Sequence, residues 1–239
     1  MATTINAAFD QLLEEFAATS VETLGAKNHG ERIEQKLREE FGLVSFFRVG
    51  SFENGTSVPR YSAVDYFAVI PEPFPRPDSH RFLVNVTATL RVKLPDTGIR
   101  VDASAVVLQF GQDPSESTKV IPVYEVGSME GRIRRFVMLD GLGGWMTAAP
   151  DAHDDYVRTI DQDHGGKAKP LIRFLKGWKY LQKVPVSSIY LEQIAVEYAK
   201  IQETIIYDLD LRSIFEKILA TGLGQSLCQN VDGPPRGAI

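Results

Sequence analysis

The sequence changes character near residue 150, and that change limits the folds open to it. Before it, short apolar runs of β type are mixed with stretches of helical spacing; after it, only helical spacing of apolar residues remains. Two helices are expected within the first 42 residues. Phe9, Leu12, Leu13 and Phe16, and then Ile33, Leu37 and Phe41, fall at helical intervals, with Gly42 as the stop. Strands are expected at Leu43 to Val49, Val64 to Ile70, Ile99 to Phe110, Thr118 to Val126 and Arg132 to Leu139. Pro71 to Pro77 holds four prolines in seven residues and predicts a rigid connector. After it, Asp78 or Ser79 can cap a helix through Phe82, Val86 and Leu90 that Pro95 ends. Helices are then expected near 152–162, 167–183, 187–202 and 208–221. The fold class that follows is α+β. Residues 1–150 form a mixed sheet with helices, and residues 151–239 form a helical part.

Hydrophobic residues make up 44% and charged residues 24% of the 239, in the ordinary range for buried cores under a hydrated surface. No stretch approaches the roughly 18 continuous apolar residues of a membrane helix. Met1-Ala2-Thr3-Thr4 lacks the basic start and apolar run of a signal peptide. Cys228 is the one cysteine, which excludes an internal disulfide and argues against a cysteine zinc site. These features point to the cytoplasm and away from a membrane. Lys and Arg number 26 against 31 Asp and Glu, a net charge of −5, so nucleic acid held on a broad basic surface is disfavoured as a partner. A local basic pocket stays open, because net charge averages over the whole surface.

The segment with most chemical content is Gly50-Ser51-Phe52-Glu53-Asn54-Gly55-Thr56-Ser57, followed by Ser62-Ala63-Val64-Asp65-Tyr66-Phe67-Ala68-Val69-Ile70. A strand ending in Gly-Ser before a turn puts backbone N–H groups and a hydroxyl where a phosphate can bind. An acidic residue at the mouth of the next strand can hold a divalent metal against that phosphate. Gly-Ser alone is a common turn; Gly-Ser, Gly-Thr and Ser-x-x-Asp on consecutive β elements form a more specific set. In that set the chain resembles the polymerase-β-like nucleotidyltransferases. Within them it is similar to the bacterial relatives of cyclic GMP–AMP synthase, the CD-NTases, which make cyclic oligonucleotides in anti-phage defence. The resemblance continues through Gly143-Gly144-Trp145-Met146, Pro150 and His153, then Lys169-Pro170-Leu171-Ile172-Arg173-Phe174, Lys176-Gly177-Trp178-Lys179 and the segment from Val184 to Glu192.

That resemblance implies a polymerase-β-like lobe, a helical lobe and a nucleotide in the cleft between them. It implies nucleoside triphosphates (ATP, GTP or both) as substrates, Mg²⁺ or Mn²⁺ as cofactor, and regulatory or effector proteins of a defence operon as partners. It also implies two-metal phosphoryl transfer, in which three carboxylates hold two ions. Asp65 matches the second of these carboxylates and is the metal ligand that remains. Ala63 stands at the expected Asp position two residues earlier on the same strand face, and Lys119 stands at the third position, three residues before Pro122. A methyl group cannot ligate a metal, and an ammonium repels one. Either Ala63 is a single change in an otherwise competent enzyme, or the chain is naturally degenerate and Lys119 is a second lesion; two lesions favour the latter. Asp102 is either a replacement ligand from the adjacent strand or a solvated strand residue.

In the helical part, Lys169, Arg173, Lys176 and Lys179 recur at three- and four-residue spacing, so several can share one helix face, where simple solvation is the plain alternative. By the resemblance, Lys176 or Lys179 reaches the triphosphate together with Gly50 and Ser51. Ser187 or Ser188 adds a hydroxyl at the start of the next helix, where an N-cap is expected in any case. Tyr190 either stacks on a base or packs in the core. Trp145 and Trp178 are expected as packing residues, and Asp140 to Gly144 as a flexible turn.

Three functional readings remain. The first is a synthase of a cyclic di- or trinucleotide, here catalytically impaired. The second is a pseudoenzyme that binds a nucleotide or a partner, and the third a nucleotidyltransferase that modifies RNA or protein. Ala63 and Lys119 favour the second over the first. The tail from Asp232 is turn-like, and members of the resembled family continue with a further helical segment, which predicts a C-terminus shorter than theirs.

Overall fold

The computed structural model describes residues 4–73, 76–112, 116–129 and 131–221. Helix α1 (Ile5–Glu15) begins at the Thr4 cap and α2 (Ser20–Phe41) at Thr19. The Thr19 hydroxyl accepts the Glu22 N–H while the Glu22 carboxylate accepts the Thr19 N–H, a reciprocal cap that satisfies two otherwise orphaned donors. Gly42 ends α2, as the sequence predicts. Then come β1 (Ser45–Val49), a single 3-10 turn at Gly50–Phe52, β2 (Val64–Val69) and α3 (Ser79–Lys93). Five strands follow: β3 (Gly98–Asp102), β4 (Ala105–Gln109), β5 (Ser117–Met129), β6 (Ile133–Leu139) and β7 (Trp145–Ala148). The helices α4 (Pro150–Asp163), α5 (Ala168–Leu181), α6 (Ser188–Ala199) and α7 (Tyr207–Thr221) complete the described chain. The class is α+β, as expected. The tail from Asp232 and Cys228 lie outside the described residues.

Among the described residues one sheet forms in the order β1-β2-β5-β4-β3, with the far end of β5 pairing with β6 and β6 with β7. Only β2 and β5 run parallel; the other pairs are antiparallel. Alternate residues of each strand point to opposite faces. On one face, Ala68, Ile70, Val106, Leu108, Val120 and Tyr124 pack with Ile33 and Leu37 of α2 and with Phe82, Val86 and Leu90 of α3. On the other, Val49, Phe67, Val69, Val123 and Phe136 form a separate apolar cluster.

Two strand expectations are corrected. Ile99 to Phe110 is not one strand but the β3–β4 hairpin, turning at Ala103 with φ of 50°. A non-glycine residue there costs about 1 kcal/mol, and nothing in Asp-Ala-Ser announces the turn. Trp145–Ala148, which carried no strand expectation, pairs with β6. The intervening loop is tied by Asp140, whose Oδ1 accepts the N–H groups of Leu142 at 2.7 Å and Gly144 at 2.8 Å.

The chain divides into two compact units. A sheet unit comprises Thr19–Glu53 and Arg60–His153; a helical unit comprises the residues before Thr19, Asn54–Pro59, and the chain from Asp154 on. Thus α1 and Asn54–Pro59 group with the helical unit although they lie in the N-terminal part of the sequence. Packing gives the reason. Phe9, Leu12, Leu13 and Phe16 of α1 cluster with Val58, Phe174, Tyr207 and Leu211. The Phe9 ring lies 4.9 Å from that of Phe174 and 5.5 Å from that of Tyr207. A Cβ at Gly177 would collide with the Phe16 ring, so glycine there lets α1 approach α5. No described helix is long and apolar enough to cross a membrane.

Within the sheet unit, Arg134 on β6 grips Asp151 through Nε at 2.9 Å and a second guanidinium nitrogen at 3.0 Å, with its guanidinium carbon 4.1 Å from the Phe47 ring centre. The guanidinium hydrogen bonds hold the Asp151 carboxyl below its usual range, against the opposing effect of burial. A depressed carboxylate contributes stability that is complete above its unfolded-state value and is lost as pH falls through the folded one. Asp151→Asn should therefore cost about 1 kcal/mol at pH 7, the upper range for partly exposed pairs. Urea midpoints should show that difference fading below about pH 4, the ordinary carboxylate range.

Candidate functional site

The sheet register assembles one charged row in the sheet unit. Val49 pairs with Asp65, Asp65 with Lys119, Lys119 with Val107, and Val107 with Arg100. Residues paired across neighbouring strands share a face, and strands lie about 4.8 Å apart. Asp65 and Lys119 are thus immediate neighbours, and Ala63 lies one residue before the first residue of β2. Asp102, two residues beyond Arg100, falls on this face as well. Its carboxylate meets the Lys119 ammonium at 3.1 Å and an Arg100 nitrogen at 3.9 Å.

The 3-10 turn Gly50–Phe52 leaves β1 beside this row, closed by the Glu53 N–H donating to the Gly50 carbonyl at 3.0 Å. Gly50 has φ of +69°, and a Cβ on it would stand 3.2 Å from Asp65 Oδ2. The Gly-Ser expectation therefore has a physical basis. Only glycine takes this backbone conformation without strain while the carboxylate sits so close. Gly50, Asp65, Lys119 and Asp102 are brought to one end of the sheet unit, with Ser51 following Gly50 in the turn.

The row does not fit the two Mg²⁺ or Mn²⁺ ions that the resemblance implies. Each ion needs several hard oxygen ligands, and the three positions supply one carboxylate, one methyl and one ammonium. Asp102, considered as a replacement ligand, is already ion-paired to Lys119. Among the described residues no group of three or more His, Cys, Asp or Glu side chains is arranged to hold a metal.

In the helical unit the basic residues of α5 do not form a common anion-binding face. Lys176 is 1% exposed, and its ammonium is ion-paired with Glu192 of α6. It also donates to the Thr56 hydroxyl at 2.9 Å and the Thr56 carbonyl at 3.2 Å. Thr56 Oγ1 lies 2.5 Å from Glu192 Oε1 and 2.7 Å from Asn54 Oδ1, and the Thr56 N–H donates to the same Asn54 oxygen at 3.1 Å. Burial lowers the affinity of the Lys176 ammonium for its proton, and Glu192 opposes that effect. Lys176 is thus an interior ion-pair residue, which corrects its expected role at a triphosphate. Arg173 donates to the Phe16 carbonyl. The Lys179 ammonium donates to the Ser188 hydroxyl at 2.7 Å. Ser187 occupies the N-cap of α6 and makes no side-chain capping bond. Tyr190 packs on the helical core. Trp178 packs on Phe215 at 4.8 Å, and Trp145 on Tyr124 and Phe82, the packing roles expected of both. Asn54 and Glu192 were missed as partners; Thr56 was visible only as part of Gly-Thr.

No protein-family model and no curated protein matches the chain. Solved structures do. Escherichia coli MS115-1 CdnC, in a complex with HORMA-deltaN, matches with a TM-score of 0.67 at 18% identity, covering 90% of this chain and 70% of that one. The Elizabethkingia meningoseptica CdnE cyclic dinucleotide synthase with GTP and Apcpp matches at 0.66 and 21%, covering 88% and 83%. The Bradyrhizobium diazoefficiens CD-NTase CdnG in complex with GTP matches at 0.66 and 11%, covering 89% and 74%. The chain has the CD-NTase fold. At these identities the likeness concerns the backbone. The CD-NTase fold of this chain combines the sheet with its Gly-Ser turn and a helical unit organised around Lys176 and Glu192.

Removing the Lys176 ammonium leaves Glu192 charged and buried without its cation. Lys176→Met should destabilise the protein by about 3 kcal/mol in urea unfolding. Lys176→Met combined with Glu192→Leu should recover much of that loss. Equal loss in the single and double variants would refute the ion-pair account.

Proposed function

We propose that the chain binds a nucleoside triphosphate at the Gly50–Ser51 turn of the sheet unit and that its nucleotidyl transfer is impaired. The observation that carries this reading is the Gly50 turn closed against Asp65 at the mouth of β2, so close that a Cβ on Gly50 would stand 3.2 Å from the carboxylate, with Ala63 and Lys119 at the two other expected acid positions. The Ser51 hydroxyl donates to a phosphate oxygen, and the adjoining turn amides face the same charge. Several structures sharing the fold hold nucleotides, among them CdnE with GTP and Apcpp and CdnG with GTP, which supports ATP and GTP as the probes to use.

Impairment follows from the donor set. A reacting hydroxyl needs its developing charge stabilised and the triphosphate needs its charge neutralised, and one carboxylate cannot organise both. The expected product, were the site intact, is the cyclic di- or trinucleotide that the sequence resemblance implies.

ATP and GTP titrations should show Ser51→Ala weakening binding about tenfold, the usual scale for one charge-assisted hydrogen bond. Unchanged affinity in that variant would move the site elsewhere. Incubation with all four labelled nucleoside triphosphates and Mg²⁺ or Mn²⁺ should give no cyclic product with the native chain or with Ala63→Asp. The double variant Ala63→Asp with Lys119→Glu, which restores an acid at each of the three expected positions, should return it. Cyclic product from Ala63→Asp alone would mean that Lys119 is tolerated in a working site.

A further inference from the structure

The residues that break the metal site also change its charge in a definite direction. Three carboxylates at 63, 65 and 119 would carry three negative charges; Ala63, Asp65 and Lys119 carry no net charge. A triphosphate, itself multiply anionic, is repelled by three carboxylates unless cations stand between them. With Lys119 in the row that repulsion is gone, and a fixed cation occupies the strand position next to Asp65. We infer that the Lys119 ammonium does for a bound triphosphate what a divalent ion does in a three-carboxylate site, so that this chain binds nucleoside triphosphates without a metal. This inference rests on the nucleotide reading of the Gly50–Ser51 turn.

Three features of the ammonium suit it to the role. It is accessible: the Lys119 side chain is 37% exposed and its partner Asp102 41% exposed, so a ligand can reach both. It is placed beside the proposed site, because β2 and β5 pair it directly with Asp65, the residue against which the Gly50 turn closes. It is also not deeply compensated. Lys119 has an exposed carboxylate partner that a phosphate can replace, whereas the Lys176 ammonium is sealed inside its own network. Arg100, 3.9 Å from the same Asp102 oxygen, keeps that carboxylate neutralised when Lys119 turns to a phosphate. Lys119 and Arg100 thus share one acid, and the ligand can take the place of that acid on Lys119.

Calorimetric titration of the full chain with ATP and with GTP, in excess EDTA and in excess Mg²⁺, tests the inference. Affinity should agree within about threefold between the two conditions, because the fixed ammonium already supplies the countercharge. Lys119→Met should weaken binding in EDTA about tenfold, the loss expected when one charged hydrogen-bond donor is removed. Lys119→Glu should bind only when Mg²⁺ is present. Asp102→Asn should bind in EDTA at least threefold more tightly, roughly the effect of removing one nearby negative charge in a solvated setting. That variant keeps the test decisive if Lys119 variants fold poorly, which far-UV circular dichroism will show. Binding by the native chain that is lost in EDTA would overturn this inference and leave the nucleotide site standing. Lys119→Met with native affinity, or Asp102→Asn with no gain, would overturn it as well. No binding of either nucleotide in either condition would overturn the nucleotide reading itself, and this inference with it.

Discussion

The helical unit depends on an ammonium that has no access to water. Lys176 on α5 is enclosed by Glu192 of α6 and by the hydroxyl and carbonyl of Thr56. A buried charge is tolerated only when its partners are both close and correctly placed, so the route of the chain through Asn54–Pro59 is set by residues more than a hundred positions further on. Asn54 completes the arrangement by accepting from Thr56, and Val58 then enters the cluster of Phe16 and Phe174. The result is a short segment, directly after the Gly-Ser turn, that belongs to the helical unit although the sheet unit surrounds it in sequence.

The sheet unit concentrates its chemistry by register. Asp65 and Lys119 lie some fifty residues apart in sequence, yet parallel pairing of β2 and β5 makes them neighbours. The antiparallel pairing of β5 with β4 and β4 with β3 then brings Arg100 and Asp102 onto the same face. Charges of alternating sign on one face neutralise each other, which makes this row a poor cage for free divalent ions. Under the proposal made above, an anion competes with Asp102 for the lysine of this row. Gly50 is the local condition for the arrangement, since any side chain there would crowd Asp65.

Much of this was legible in the residues. The periodicity of Ile33, Leu37 and Phe41 marks α2, and the Phe82, Val86 and Leu90 spacing marks α3, because a helix that buries one face must repeat at that interval. The residue types at Gly50-Ser51, Ala63, Asp65 and Lys119 were readable because a motif is a local property of the chain. The β3–β4 hairpin was not, since Ala103 takes a left-handed backbone conformation that alanine does not advertise. Strand β7 was hidden for a related reason: four residues, Trp145–Ala148, give too short a run to show an alternation. The basic spacing on α5 misled in the opposite sense. Helical spacing shows which residues can share a face, but it cannot show that Arg173 turns to a carbonyl of α1 while Lys176 turns inward to α6.

By itself the sequence determined the element types, the order of a sheet part before a helical part, and the chemical inventory at each motif position, because propensity, periodicity and turn chemistry act over a few neighbouring residues. Tertiary structure decided which charges are used up and which are left to meet a ligand. That choice depends on contacts between segments distant in the chain, and on the cost of removing each group from water. Lys176 and Lys119 are the same residue type with the same formal charge. Burial against Glu192 makes the first a structural ion pair, and placement on an accessible sheet row beside Asp65 and Asp102 leaves the second in reach of an anion.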